Sequence, residues 1–295
     1  MNYKILISFL AIYFSINSSF AKSIEQYFIK IIPSSNQVKY GKLIVKRYNS
    51  SLNYQKEENL PELTDPKVAL EWINKQISPA NLNKHSKVLI FIHGFWGSFP
   101  YAIDITSKAF DKYYFKNDDS NIDAVIHIIW KSHNMTYNQA IKSLKKSSNT
   151  LADILNNVEM LYPEKYSLIC HSMGSRFLFE SISNHTIKTK FQELVLIAPD
   201  LSLNNFNDNK NLFLNLASKI YVFANKNDQI LLISKYINKN ERLGRVTNHS
   251  KVINIEFINC SDVYTSQFNI DYMTSHLCFL YSPKVRKKIE SVLDM

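Results

Sequence analysis

Two stretches decide how this chain is read: Ile90-Phe91-Ile92-His93-Gly94-Phe95-Trp96-Gly97 and Cys170-His171-Ser172-Met173-Gly174. In each, an apolar run stops abruptly at a turn that contains glycine. The 295 residues include only five glycines, Gly41, Gly94, Gly97, Gly174 and Gly244, and three of them fall in these two stretches. A chain this sparing with glycine keeps it where a side chain would clash or where φ must be unusual. Both turns are therefore expected to be built for close or strained backbone, and the second presents a lone serine.

The surrounding pattern gives the turns their setting. From residue 87 onward, apolar runs at 88–92, 124–130, 166–170, 194–198, 220–224 and 252–258 alternate with amphipathic segments at 102–113, 139–161, 175–183, 212–217, 230–237 and 284–293. Continuous apolar strands separated by helices predict a mostly parallel, doubly wound α/β sheet with helices on both faces. In such sheets the ligand site lies beyond the carboxyl ends of the strands. Upstream, residues 22–86 read as a lead-in. An edge strand is expected over 37–46, with Val38, Tyr40, Leu43 and Val45 apolar. A short helix is expected to start at Asp65-Pro66, with the aspartate as N-cap and the proline in the first turn, and Leu70, Trp72, Ile73 and Ile77 on its apolar face.

Composition narrows the class. At 45% hydrophobic and 20% charged residues, the chain can bury one large core and is ordinary for a globular protein. Residues 1–21 read as a secretory signal: Lys4, an apolar stretch over 5–16 too short to span a bilayer, then Ser19-Phe20-Ala21 with small residues at a cleavage site. The expected location is secreted or periplasmic. The net charge is +10, spread over scattered lysines with a small cluster at Lys284, Arg286, Lys287 and Lys288. No nucleic-acid motif accompanies it, so a solvated basic surface is expected, with at most a weak peripheral attraction to an anionic membrane. Cys170, Cys260 and Cys278 are too few for a disulfide framework. Cys260 and Cys278 either pair in an oxidising compartment or stay buried as free thiols.

The chemistry is read at the strand ends. Ser172 follows a strand and precedes a helix, the context in which a sharp elbow lifts a serine hydroxyl into the open. The usual pattern G-x-S-x-G has Cys170 in place of its first glycine and Gly174 as its second. The competing reading of Ser172 is a helix N-cap. A neutral serine needs an adjacent base, and in this topology the chain order is serine, acid, histidine. His249 precedes the last strand and falls on the amino edge. His276 follows it and is the expected base. Asp228, in the turn Asn225-Lys226-Asn227-Asp228, is the preferred acid, with Asp200 the alternative. Backbone donors for a developing oxyanion are expected from Met173, just after the nucleophile, and from Phe95, after the first core strand. His93 is expected to brace that loop. Trp96 and Trp130, with Phe99 and Tyr101 nearby, are candidate walls of an acyl pocket, although aromatic residues also simply pack in cores.

With these residues assembled, the chain resembles the α/β-hydrolase superfamily and, within it, the bacterial α/β-hydrolases grouped as domain-of-unknown-function family 900. The likeness rests on Ile92-His93-Gly94-Phe95, Trp130-Lys131-Ser132, His171-Ser172-Met173-Gly174, Ala198-Pro199-Asp200, Asn227-Asp228, Arg242-Leu243-Gly244 and His276 before Ser282-Pro283. It covers residues 87–293 and implies Ser172 as nucleophile, Asp228 as acid and His276 as base, without implying a substrate. The resulting expectation is a catalytic core over 87–295 that cleaves small-molecule esters, thioesters or amides without metal or organic cofactor. An acyltransferase or peptidase would use the same groups. The rival from another class is a non-catalytic binding protein on the same fold, engaging an envelope lipid or a partner protein.

Overall fold

The computed structural model describes residues 25–48, 51–58, 63–77, 87–95, 106, 107, 110, 114, 121–162, 165–249, 252–263 and 275–294, with backbone only for 44–48 and 51–58. The expected signal segment 1–21, Trp96, Phe99, Tyr101 and most of the helix expected over 102–113 lie outside them.

Among the described residues, nine strands form one sheet: β1 (Glu25–Ile32), β2 (Gln37–Tyr48), β3 (Ser51–Glu58), β4 (Lys87–Ile92), β5 (Ile122–Ile129), β6 (Tyr166–His171), β7 (Phe191–Ile197), β8 (Ala217–Ala224) and β9 (Ile255–Asn259). Their order is β3-β2-β1-β5-β4-β6-β7-β8-β9. The pairs β1–β2 and β2–β3 are antiparallel, and β1 through β9 otherwise pair in parallel. The winding reverses at β4: the chain steps outward to β5, then crosses back over β4 to β6. That switch opens a crevice at the carboxyl ends of β4 and β6, where the two glycine turns lie.

The lead-in belongs to this sheet. Residues 37–46, expected as an edge strand, are instead one strand inside it, because β3 covers their outer side. The apolar residues of β2 also serve two faces. Val38 and Tyr40 join the core under the helix Pro66–Gln76, Tyr40 with its ring 5.2 Å from that of Trp72, whereas Leu43 packs with Phe28 and Ile129 on the opposite side. The unforeseen β1 lies parallel to β5, burying Tyr27, Phe28, Ile29 and Ile31.

The helices are α1 (Pro66–Gln76), α2 (Tyr137–Asn157), α3 (Met173–Asn184), α4 (Leu203–Asp208), α5 (Lys210–Leu216), α6 (Gln229–Asn238), α7 (Cys278–Tyr281) and α8 (Pro283–Leu293). Asp65 caps α1 by accepting the Lys67 N–H at 2.8 Å, with Pro66 behind it. α2 begins two residues before its expected start because Thr136 and Gln139 form a reciprocal capping box, which leaves Tyr137 in the first turn. Alternation along β4 divides the core between the two sheet faces. Val88, Ile90 and Ile92 meet Leu70, Leu144, Phe177 and Phe213 from α1, α2, α3 and α5, while Leu89 and Phe91 meet Phe279, Val285 and Ile289 from α7 and α8. Among the described residues no helix is long and apolar enough to cross a membrane.

Candidate active site

Ser172 stands between the end of β6 and the first residue of α3 with φ 53° and ψ −124°. Left-handed φ at a residue bearing Cβ costs on the order of 1–3 kcal/mol and persists only where the surroundings impose it. Here the backbone is clamped from both sides: the Ser172 N–H donates to the Ile197 carbonyl at 2.9 Å, and the Asp200 N–H donates to the Ser172 carbonyl at 3.0 Å. None of the described glycines has positive φ, so glycine serves close approach here and the strained conformation falls to the serine.

A Cβ on Gly174 would lie 2.5 Å from the Ile92 carbonyl oxygen and 2.7 Å from that of His93, and one on Gly94 would lie 2.8 Å from the Ser172 Cβ. The two turns are thus pressed against each other, and Cys170, fully buried within β6, fits where the usual elbow has a glycine. Gly174→Ala meets rigid backbone on both contacts and is expected to cost about 1–3 kcal/mol by overpacking. Urea unfolding would reveal it, and a wild-type midpoint would show that the contact is softer than described.

Ser172 occupies the N-cap position of α3, yet its side chain makes no capping hydrogen bond. Its hydroxyl instead meets His276 Nε2 at 2.9 Å. His276 Nδ1 in turn donates to Asp228 Oδ2 at 2.8 Å. Asp228 performs both tasks open to it: Oδ1 accepts the Leu231 N–H at 2.9 Å and caps α6, while Oδ2 holds the imidazole. The three side chains, separated by up to 104 positions, are all buried. With Nδ1–H committed to the carboxylate, Nε2 keeps its lone pair for the hydroxyl proton. Such a chain can take a proton from the serine as its oxygen attacks an electrophile and can stabilise the imidazolium that results.

Neighbouring groups hold this arrangement. Asn225 Nδ2 reaches the Ser275 carbonyl at 3.4 Å, tying the residue before His276 to the end of β8. The Arg245 guanidinium donates to the Asp228 carbonyl. Gly244 lets that segment close in: a Cβ there would lie 2.7 Å from both the Ala198 carbonyl carbon and the Pro199 nitrogen. His171 Nε2 donates to the His276 carbonyl at 3.3 Å, and its ring packs between His276 and Phe279. Burial, together with the neighbouring His276, keeps His171 well below the ordinary histidine range.

The alternative acid, Asp200, serves a different cluster. Its Oδ2 accepts the Tyr137 hydroxyl at 2.7 Å, its Oδ1 accepts the Ser234 hydroxyl at 2.5 Å, and Arg242 stands 3.5 Å away. Burial pushes its carboxyl up, while Ser234, Tyr137, Arg242 and Arg176 pull it back. His249 also lies apart, stacked on Phe257 at 4.4 Å and bonded to Asn207.

On the facing turn, His93 is a brace. Nδ1 donates to the Gly94 carbonyl at 2.7 Å, Nε2 accepts the Trp130 backbone N–H at 3.2 Å, and the Trp130 indole N–H donates to the His93 carbonyl at 2.9 Å. Burial pushes His93 down to about 4, so both bonds belong to the neutral ring. Trp130, expected as a pocket wall, is instead 1% exposed, stacked on His93 and packed against Phe177. Its indole found its partner inside the core, which is where an aromatic flanked by strand ends gains most. Phe95 is half-buried beside Tyr137. Met173 begins α3, where a backbone N–H has no intrahelical acceptor by position. Sequence reasoning missed Tyr137, Ser234 and Asn225. The only signal for the first was the Thr136–Gln139 capping box that sets it in the opening turn.

Cys260 and Cys278 are buried free thiols, and Cys260 Sγ donates to the Ile258 carbonyl at 3.6 Å. Among the described residues, no cluster of His, Cys, Asp and Glu is arranged to hold a metal ion.

A doubly wound, mostly parallel sheet with a serine on a strand–turn–helix elbow at its switch point defines the α/β-hydrolase fold. The chain belongs to the family described as alpha/beta hydrolase of unknown function (DUF900), whose model matches residues 66–292. Similar solved structures include a lipase-esterase related protein from Clostridium acetobutylicum, at 14% identity over 71% of this chain and 96% of that one, TM-score 0.40. MenH from S. aureus is 13% identical over 73% of this chain and 97% of its own, TM-score 0.39. An esterase of Pyrococcus furiosus is 13% identical over 91% and 88%, TM-score 0.39. No curated protein matches the sequence.

Proposed function

We propose that this protein is a serine hydrolase that cleaves carboxylic ester bonds, or the related thioester and amide bonds, through an acyl-enzyme. The observation that carries the reading is the unbroken hydrogen-bonded chain from the Ser172 hydroxyl through both nitrogens of His276 to Asp228. Ser172 Oγ attacks the carbonyl carbon as its proton passes to His276 Nε2. Asp228 holds the ring in the tautomer that can accept that proton and stabilises the imidazolium. The N–H groups of Met173 and Phe95 receive the tetrahedral oxyanion. His276 then returns the proton to the leaving group, and the same relay activates water against the acyl-enzyme. The strained φ of Ser172 and the absence of a capping bond from its hydroxyl also support this role over that of a simple N-cap.

A fluorophosphonate probe and p-nitrophenyl esters of graded chain length test the reading. Wild-type protein is expected to form a stoichiometric adduct and to hydrolyse at least the short esters, and Ser172→Ala is expected to lose both. Folded wild type that neither labels nor turns over any ester would favour a non-catalytic binding protein and sink the proposal.

A further inference from the structure

The cluster around Asp200 joins the two halves of the site. Tyr137 opens α2 with its hydroxyl bound to Asp200 Oδ2 at 2.7 Å, and its ring stands edge-on to that of Phe95, with centroids 5.9 Å apart and planes at 77°. Asn238 Nδ2 at 3.0 Å and Arg176 Nη1 at 3.3 Å donate to the same phenolic oxygen. Ser234 lies 3.0 Å from that oxygen and itself donates to Asp200 Oδ1. Arg242 faces the carboxylate from the segment after α6. Asp200 meanwhile clamps the elbow through its N–H on the Ser172 carbonyl. One buried residue therefore touches the nucleophile's backbone on one side and, through Tyr137, the ring of Phe95 on the other.

This geometry suits a spacer. An oxyanion donor must sit within a few tenths of an ångström of its place relative to the nucleophile. The backbone of 93–95 is braced on one side by His93 and Trp130. The ring of Phe95 rests edge-to-face on that of Tyr137, a contact with a preferred distance and angle. A phenol held by four polar partners cannot drift, so the ring resting on it is fixed relative to Asp200 and hence to Ser172.

We propose that Tyr137, anchored by Asp200, is a positioning residue that sets the Phe95 backbone N–H against the Ser172 oxyanion. This rests on the serine-hydrolase reading and extends it to a residue outside the relay. Tyr137→Phe keeps the ring and removes the anchor. It is expected to lower kcat for a p-nitrophenyl ester about 10-fold with KM within about twofold, since the lost interaction matters only in the tetrahedral state. A boronic acid inhibitor, whose serine adduct places an oxygen in the same hole, is expected to lose affinity by the same factor. Phe95→Leu removes the same contact from its other partner and is expected to reproduce both losses even if Tyr137→Phe fails to fold. Wild-type kcat and boronate affinity in either folded variant would overturn the proposal while fluorophosphonate labelling of the wild type still upheld the hydrolase reading. A wild type that takes no label would overturn both.

Discussion

Asp228→Asn is expected to lower kcat for an activated ester by about 10⁴-fold, the scale of losing the correct imidazole tautomer, while leaving thermal stability close to wild type. The two halves of this expectation come from the two oxygens of Asp228. Oδ1 caps α6 by accepting the Leu231 N–H, and asparagine caps a helix about as well as aspartate. Oδ2 accepts the proton of His276 Nδ1. An amide placed with its carbonyl on Leu231 turns its NH₂ toward Nδ1. The ring must then accept there and carry its proton on Nε2, facing Ser172, where it can no longer act as a base. Asp200→Asn provides the contrast. It disturbs the Tyr137, Ser234 and Arg242 cluster but leaves the relay, so its loss in kcat is expected to be far smaller. Steady-state kinetics on both variants, with melting curves, decide the matter. A loss below tenfold in Asp228→Asn, or a larger loss in Asp200→Asn, would move the acid to the other residue.

Stability is expected to fall steeply on mild acidification, beginning near pH 6.5. Three buried histidines are neutral in the folded protein. His93 is pushed down to about 4 and His127 to about 3, both chiefly by burial, and His171 is held well below the ordinary range. His93 already has both ring nitrogens committed, and His127 donates from Nε2 to Gln26 at 2.9 Å deep in the sheet. The unfolded chain takes up these protons near the ordinary histidine value of about 6.5, whereas folded His93 resists until about pH 4 and His127 until about pH 3, with His171 likewise held down by burial. The depressed folded values therefore contribute stability that is complete above about pH 6.5 and lost as pH falls toward 4. Each proton difference gives a slope of about 1.4 kcal/mol per pH unit, so three give about 4. Against a typical total of about 5–15 kcal/mol, two pH units can exhaust the fold. Asp200 works in the opposite sense, because its folded carboxyl is raised and gains stability on acidification, but it is one group against three. Urea unfolding between pH 6.5 and 5.5 isolates the histidines, since ordinary carboxylates bind few protons there. A flat midpoint across that interval would mean that these rings are charged or solvated in the native state.

Most of the sheet was legible because its central strands are buried on both faces and read as unbroken apolar runs, as in 88–92 and 166–170. Ser172 and Asp228 were legible for a related reason: they follow the ends of β6 and β8 by one and four residues, whereas His276 comes 17 residues after β9 and was singled out by falling on the carboxyl side of the last strand. The N-terminal strands were harder. β1 mixes Glu25, Gln26 and Lys30 with its apolar residues, and its burial comes from lying beside β5, a partner 99 positions away in register at Glu25↔Ala124. β2 read as an edge because polar and apolar residues alternate along it, yet its apolar residues are divided between two faces and β3 lies outside it.

Local sequence decided what local physics controls: which segments are apolar enough to be strands, where Asp65, Thr136, Asp228 and Ser282 start helices, and which hydroxyl stands on a turn. Only the tertiary structure decided between roles that one residue type can fill equally well. Asp228 and Asp200 are both aspartates after parallel strands; the sequence favoured Asp228 and left Asp200 open, and the approach of the Ser275–His276 segment to Asn225 brings the imidazole to Asp228. Trp130 became core and Tyr137 became a neighbour of Phe95 for the same reason. Hydrogen-bond partners are chosen by distances of about 3 Å between segments far apart in the chain, and spacing along the chain carries no record of those distances.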